Sequence, residues 1–240
     1  MSILAGIHPV REALLAGRPL QRVLVAKGLG GARVQEIVDL CRRQAIPLRF
    51  EPRAALDRLA GDTPHQGVIA VGAAQRYAGL EDLLPTAHVL LVLDGIEDPR
   101  NLGAILRTAH AAGAGGVVLP ERRSALVNET VAKASSGALA HIPVARVANI
   151  NRALESLKQH GWWIYGFDAS GDQDYDAVDY AERSAFVFGS EGKGLHQQVR
   201  KKCDCLVRIP LAGKLASLNV SVAAGVALFE WRRRSRQGLE

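Results

Sequence analysis

Three well-separated segments of the chain carry residue types able to hold a small ligand and manage charge beside it. The first is Asn101-Leu102-Gly103-Ala104-Ile105-Leu106-Arg107. Asp98 suits a helix cap and Pro99 a first helical turn, so Leu102, Ile105, Leu106 and Ala109 should form a buried stripe with Arg107 off it. The second is Phe188-Gly189-Ser190-Glu191-Gly192, where an apolar run ends in a glycine-flanked turn. Backbone can fold around a ligand there, with the Glu191 carboxylate at the rim. The third runs from Ile209-Pro210-Leu211 to Ser217-Leu218-Asn219, with Ser217 suited to cap a final helix and Asn219 in its first turn. Singly, each has an ordinary explanation: a solvated helix arginine, a carboxylate near a helix start, two capping residues. Taken in order they suit one site at the ends of strands, where amides, a guanidinium and a carboxylate surround a substrate.

The elements that would position these groups are legible from apolar periodicity. Val89-Leu90-Leu91-Val92-Leu93 is a continuous apolar run, as expected of a strand buried on both faces of a parallel sheet. The pattern returns at 116–119, 163–167, 185–188 and 206–209, mostly with helical stretches between. Alternation of this kind predicts a doubly wound α/β sheet, which binds ligands beyond the carboxyl ends of its strands. Residues 1–73 read as a separate small α/β unit, with helices at 9–15 and 32–43 and strands at 21–26, 47–50 and 67–71. Residues 74–87 read as a linker with at most one helical turn, and 88–240 as the larger domain.

Bulk properties narrow the class. Lys and Arg number 30 against 24 Asp and Glu, a net charge of +6 that is compatible with a polyanionic partner without requiring one. Hydrophobic residues at 48% and charged residues at 22% are those of a soluble globular chain. Cys41, Cys203 and Cys205 are too few for a disulfide framework and suit free thiols in a reducing cytosol. Cys203-Asp204-Cys205 lacks the spacing and the histidines of a tetrahedral metal site. The uncharged run 215–229 contains Ser, Asn and Gly and is shorter than a membrane span, and no targeting segment is visible, so a cytoplasmic location is expected.

Several common chemistries fail on spacing. Gly28-Leu29-Gly30-Gly31-Ala32-Arg33 begins like a dinucleotide fingerprint, but Arg33 stands where the third glycine is needed. Gly192-Lys193 and Gly213-Lys214 are followed by Gly194 and Leu215, not by the Ser or Thr of a phosphate-binding loop. The seven histidines form no HExxH pair, and no Gly-x-Ser-x-Gly elbow is present.

Together and in order, the three segments resemble the motifs of the SpoU (TrmH-like) family of the SPOUT methyltransferase superfamily. The matching stretches are Asn101 to Ala109, Phe188 to Leu195, and Ile209-Pro210-Leu211 with Ser217-Leu218-Asn219-Val220-Ser221-Val222-Ala223. Gly6-Ile7-His8-Pro9-Val10 and His65-Gln66-Gly67-Val68 extend the resemblance over nearly the whole chain. The nearest likeness is to bacterial enzymes that methylate a guanosine ribose in the peptidyl-transferase-centre loop of 23S ribosomal RNA.

The resemblance implies a parallel α/β sheet with a deep C-terminal trefoil knot that binds S-adenosylmethionine. It further implies a ribosomal-protein-like RNA-binding unit at the N-terminus and a homodimer whose site borrows residues from both subunits. By matched position, the backbone of Gly189, Ile209, Leu211 and Leu218 would line the cofactor pocket, and Asn101, Arg107, Glu191, Ser217 and Asn219 would be catalytic. The implied reaction is in-line methyl transfer to a ribose 2′-hydroxyl, which needs no metal. Arginine is a poor base, so Arg107 could instead hold a phosphate or steady a developing alkoxide, leaving Glu191 as the carboxylate candidate. In the N-terminal unit, Arg11, Arg18, Arg22, Lys27, Arg33, Arg42 and Arg43 could meet RNA phosphates. The alternatives are a tRNA ribose methyltransferase and a non-catalytic RNA-binding protein of the same fold.

Overall fold

The computed structural model describes residues 3–17, 19–61, 63–72, 77–190, 192, 194–214 and 216–237. The chain divides into two compact units, Met1–Arg76 and Tyr77–Glu240.

In the first unit, β1 (Ile3–Ala5), α1 (Ile7–Leu15), β2 (Leu20–Ala26), α2 (Ala32–Arg43), β3 (Leu48–Glu51), α3 (Arg53–Ala60) and β4 (Val68–Gly72) follow in order. The four strands lie β1-β4-β2-β3. β4 runs antiparallel to both neighbours, and β3 runs parallel to β2. Alternation along β2 serves both faces: Val23 and Val25 pack with Val10, Leu14 and Ile37, whereas Leu24 and Ala26 pack with Leu56 and Ile69. β1 and α3 escaped the periodicity reading because one has three residues and the other buries only Leu56. The glycine-rich segment before α2 is a turn: Gly31 precedes the helix at φ +115°, a conformation that side chains strain.

The second unit contains α4 (Leu80–Leu83), β5 (Val89–Asp94), α5 (Pro99–Ala112), β6 (Gly116–Pro120), α6 (Glu129–Ala134), β7 (Val144–Val147) and α7 (Ile150–Gln159). It continues with β8 (Trp163–Phe167), β9 (Gln173–Asp174), β10 (Ser184–Gly189), α8 (Gln197–Arg200), β11 (Cys205–Arg208) and α9 (Val220–Gln237). The strands form one sheet in the order β7-β6-β5-β10-β8-β11-β9, and all the pairings are parallel. Both faces are covered, which explains the unbroken apolar runs. Leu91, Leu93, Phe186 and Phe188 pack with Leu102 and Ile105 of α5 and Ala224 and Leu228 of α9. Leu90, Val92, Ala185 and Val187 pack on the other face with Leu154 and Leu157 of α7 and Val199 of α8.

The segment expected as a linker is packed from Tyr77 onward. Ala78 bridges to Ala145 of β7, and Leu83, Leu84 and Ala87 are buried against the larger sheet. Its mixed composition hid those contacts. β7, with Arg146 inside it, lacked the uniform apolar run of its neighbours. Among the described residues no helix is long and apolar enough to cross a membrane.

α5 starts as expected: the Asp98 carboxylate accepts the Arg100 N–H at 2.7 Å, with Pro99 in the first turn. Its buried Gly103 lets α6 approach closely, because a Cβ there would lie 2.4 Å from Ala134 Cβ and 2.9 Å from the Val131 oxygen. Gly103→Val should therefore push the helices apart and destabilise the fold by about 1–3 kcal/mol, lowering Tm by roughly 5 °C in thermal denaturation. An unchanged Tm would show that this contact yields without strain.

Candidate functional site

A cavity of about 640 Å³ opens beyond the carboxyl ends of β8, β10 and β11. Each strand contributes the residue at which its apolar run stops. β8 ends at Phe167 and passes into Asp168, β10 ends at Gly189, and the chain beyond β11 supplies Ile209 and Leu211. The segment before α9 closes the cavity with Ser217, Leu218 and Asn219. All four residues expected to line a cofactor pocket, Gly189, Ile209, Leu211 and Leu218, thus meet in one place, with two of the expected catalytic residues beside them.

Gly189 has a steric reason to be glycine. A Cβ on it would fall 2.1 Å from the carbonyl carbon and oxygen of Gly194. The turn is folded tightly on itself, with Ser190 N–H donating to the Gly194 oxygen at 3.1 Å and Gly194 N–H to the Ser190 oxygen at 2.9 Å. Glu191, the expected carboxylate of this turn, lies outside the described residues.

Asn219 rather than Ser217 caps α9. Its Oδ1 accepts the Ser221 N–H at 2.9 Å, and its backbone oxygen accepts from Val222 and Ala223 at 3.0 Å each. Ser217 lies two residues before the capping position. The cap fixes the orientation of the Asn219 amide, whose Nδ2 donates to Asn101 Oδ1 at 3.1 Å. Two expected site residues 118 positions apart are thereby joined. Arg107 stands elsewhere: it is exposed on α5, outside the lining of this cavity, and its guanidinium donates to Ser136 Oγ at 3.3 Å.

Asp168 was not singled out from the sequence, since nothing in Phe167-Asp168-Ala169 departs from an ordinary strand end. It lines the cavity with only 16% of its side chain exposed. Burial pushes its carboxyl up, but the Ser170 hydroxyl and amide and the Arg200 guanidinium 2.9 Å away together hold it below its ordinary value. A carboxylate ionised at neutral pH therefore faces a cavity otherwise walled by Phe167, Phe188, Val207 and Ile209. An apolar cleft with a few polar groups and one fixed negative charge suits a ligand that is part aromatic and part cationic. No group of three or more metal-ligating side chains gathers among the described residues.

Residues 88–229 match the profile of the SpoU rRNA Methylase family, and residues 3–78 match that of the RNA 2′-O ribose methyltransferase substrate-binding domain. The chain belongs to the SpoU methylase family. It is an RNA 2′-O-ribose methyltransferase by family. It is 44% identical to YacO of Bacillus subtilis, assigned to the TrmH family of tRNA/rRNA methyltransferases, over 97% of this chain and 96% of that protein. An AdoMet-bound rRNA methyltransferase from Sinorhizobium meliloti superposes with a TM-score of 0.68 at 26% identity, over 97% of this chain and 87% of that one. A TrmH/SpoU tRNA-modifying enzyme from A. aeolicus superposes with a TM-score of 0.58 at 27% identity, over 66% of this chain and 82% of that one.

The turn geometry yields a test. Gly189→Ala must displace Gly194 and open the turn, so affinity for S-adenosylmethionine in calorimetry should fall by about tenfold or more, equivalent to roughly 1.4 kcal/mol. Wild-type affinity in the variant would remove this turn from the binding site.

Proposed function

We propose that this enzyme transfers a methyl group from S-adenosylmethionine to the ribose 2′-hydroxyl of a guanosine in 23S ribosomal RNA, acting as a cytoplasmic homodimer. The observation that carries the reading is the convergence of Gly189, Ile209, Leu211, Ser217, Leu218 and Asn219 on one cavity. The cavity fits the cofactor by chemistry: apolar walls for an adenine, strand-end amides and carbonyls for its edge, and the Asp168 carboxylate for a cationic group. When bound, the cofactor supplies an electrophilic methyl on a sulfonium. A deep knot in this region is part of the proposal. It is supported by the close approach of backbone segments in this region, Gly189 against Gly194 and Gly171 against Val207 and Arg208.

The residues of the chain then bind, orient and manage one proton. The Asn101–Asn219 amide pair holds the lining residue Asn219 in a fixed orientation and positions the sugar. The ribose hydroxyl would lose its proton to a base as it takes up the methyl group, and Glu191 is the carboxylate we assign to that role, with Asp168 kept for the cationic group. Arg107 offers only hydrogen-bond donors and stabilises the developing alkoxide or the adjoining phosphate. Its place outside the cavity lining suits a site completed across a dimer, where Arg107 of one subunit serves the cavity of the other. Holding oxygen and methyl in line accounts for several kcal/mol of the barrier.

Ribosomal RNA is favoured over tRNA by the first unit. The rRNA-directed structure covers 97% of this chain, whereas the tRNA-modifying one covers 66%, about the share of the second unit alone. The N-terminal unit is the RNA-binding module of this reading and contributes shape recognition of loops rather than a duplex code.

Two measurements test the proposal. Arg107→Ala should leave S-adenosylmethionine affinity intact in calorimetry and lower methyl transfer to unmodified 23S rRNA by roughly 100-fold or more, the range for removing one transition-state donor. Near-normal turnover would remove Arg107 from the chemistry. Ribose-methylation mapping in cells lacking the protein should show one guanosine of 23S rRNA newly unmethylated, and a loss in tRNA instead would overturn the substrate assignment.

A further inference from the structure

A second cavity opens at the same edge of the larger sheet, on the face covered by α7 and α8. It holds about 310 Å³ among Asp94, Arg122, Arg123, Asn149, Asn151 and His196. It is separated from the first cavity by the width of one residue. A Cβ on Gly95 would sit 3.5 Å from Ser190 Cβ, which lines the first, and 3.6 Å from His196 Cε1, which lines the second. The loop bearing the two arginines is tied to the segment leading into α5, since Ala125 N–H donates to the Ile96 oxygen at 2.7 Å.

The groups around this cavity fall into two sets. Asp94 is committed to the wall: it is 7% exposed, accepts the His196 N–H at 3.2 Å and lies 2.7 Å from His196 Nδ1. That contact leaves His196 Nε2 as the ring's remaining hydrogen-bonding atom on a side chain that is half exposed. Arg122 and Arg123 are exposed and, among the described residues, form no ion pair or hydrogen bond through their guanidinium groups. Three other arginines of this unit are already neutralised, Arg200 by Asp168, Arg208 by Asp174 and Arg234 by Glu230. Arg123 is also held at φ +58°, a left-handed conformation that costs a non-glycine residue about 1 kcal/mol. Pro120, Ile150 and Val199 supply apolar surface between the polar groups, and Asn151 Oδ1 is shielded from water without a partner.

Two uncommitted guanidiniums beside an apolar slot with amides and an imidazole match a nucleotide: a phosphate for the arginines and a flat base for the slot. We propose that this second cavity binds a nucleotide of the substrate RNA flanking the one methylated, its phosphate on Arg122 and Arg123 and its base against Pro120, Ile150 and Val199. The inference rests on the RNA-methylating reading and adds a positioning subsite to it. With the target ribose over the first cavity, the strand then crosses Gly95, where a side chain would narrow its path.

The test uses the full-length protein and a fluorescent single-stranded RNA carrying the peptidyl-transferase-centre loop sequence of 23S rRNA. R122A/R123A should weaken RNA binding by about tenfold at low salt and flatten the dependence of log K on log salt by roughly 0.7–1.4, the effect of one or two lost phosphate contacts on a single strand. KM for RNA should rise while kcat, S-adenosylmethionine affinity and Tm stay near wild type. R122K/R123K should recover the salt slope, since the charge is retained, with only part of the affinity. Unchanged RNA affinity and slope in R122A/R123A, or losses that extend to cofactor affinity and Tm, would overturn the subsite. A wild-type protein that methylates neither rRNA nor tRNA fails before any substitution is made, and it overturns the functional reading and this inference together.

Discussion

Backbone packed against backbone at the end of β10 is the constraint on which the rest of the site depends. Gly189 faces Gly194 at a distance that excludes even a methyl group, and two reciprocal hydrogen bonds between Ser190 and Gly194 lock the turn. The same closeness recurs nearby, where a Cβ on Gly171 would lie 2.5 Å from the Val207 carbonyl carbon and 2.7 Å from the Arg208 nitrogen. Parallel strands end with all their carboxyl termini on one edge, so segments that cannot be held apart by side chains converge above that edge. The cavity is the space left between them. Its polar lining follows, because strand-end peptide groups at such an edge have no further strand to pair with.

The second constraint is the amide pair that joins Asn101 to Asn219. Asn219 caps α9 through Oδ1, so its Nδ2 has one direction left in which to point, and Asn101 Oδ1 is there. α5 and α9 are also packed along their length, with a Cβ on Gly225 only 3.4 Å from Thr108 Cγ2. Small residues in α9 thus permit an approach that the amide pair then registers. The lining residue Asn219 is thus tied to α5 through Asn101 where the two helices pack.

Much of this was legible in the residue order, and what escaped has physical causes. The parallel sheet could be read because both of its faces are buried, which leaves unbroken runs such as Val89 to Leu93. β7 and β9 could not: one carries Arg146 and the other is two residues long at the sheet edge. Gly189 and Leu218 stood out through motif and position. Asp168 did not, because its importance comes from Ser170 and Arg200 keeping it charged in a half-apolar cavity, and no local pattern encodes that. Ser217 was credited with the cap that Asn219 makes, an offset of two residues that only the hydrogen bonds reveal. The packing of residues 77–87 was hidden for a related reason: Leu83, Leu84 and Ala87 are too few and too scattered to announce a buried segment.

The charge of the chain gains meaning only when the cations are sorted by what already holds them. An excess of six positive charges says little about where a polyanion would bind. Arg11 is pinned by Glu36 at 2.8 Å, and Arg200, Arg208 and Arg234 each have a carboxylate of their own. Such a guanidinium would exchange one anion for another on meeting a phosphate, and most of the electrostatic gain would cancel. Arg107 is held by a neutral hydroxyl alone, and Arg122 and Arg123 by no side chain among those described. These three keep their full attraction for a phosphodiester. Two of them line a cavity one residue away from the first, at the edge where the parallel strands of this unit end. An RNA strand drawn there by long-range attraction arrives already next to the cavity in which its ribose would react.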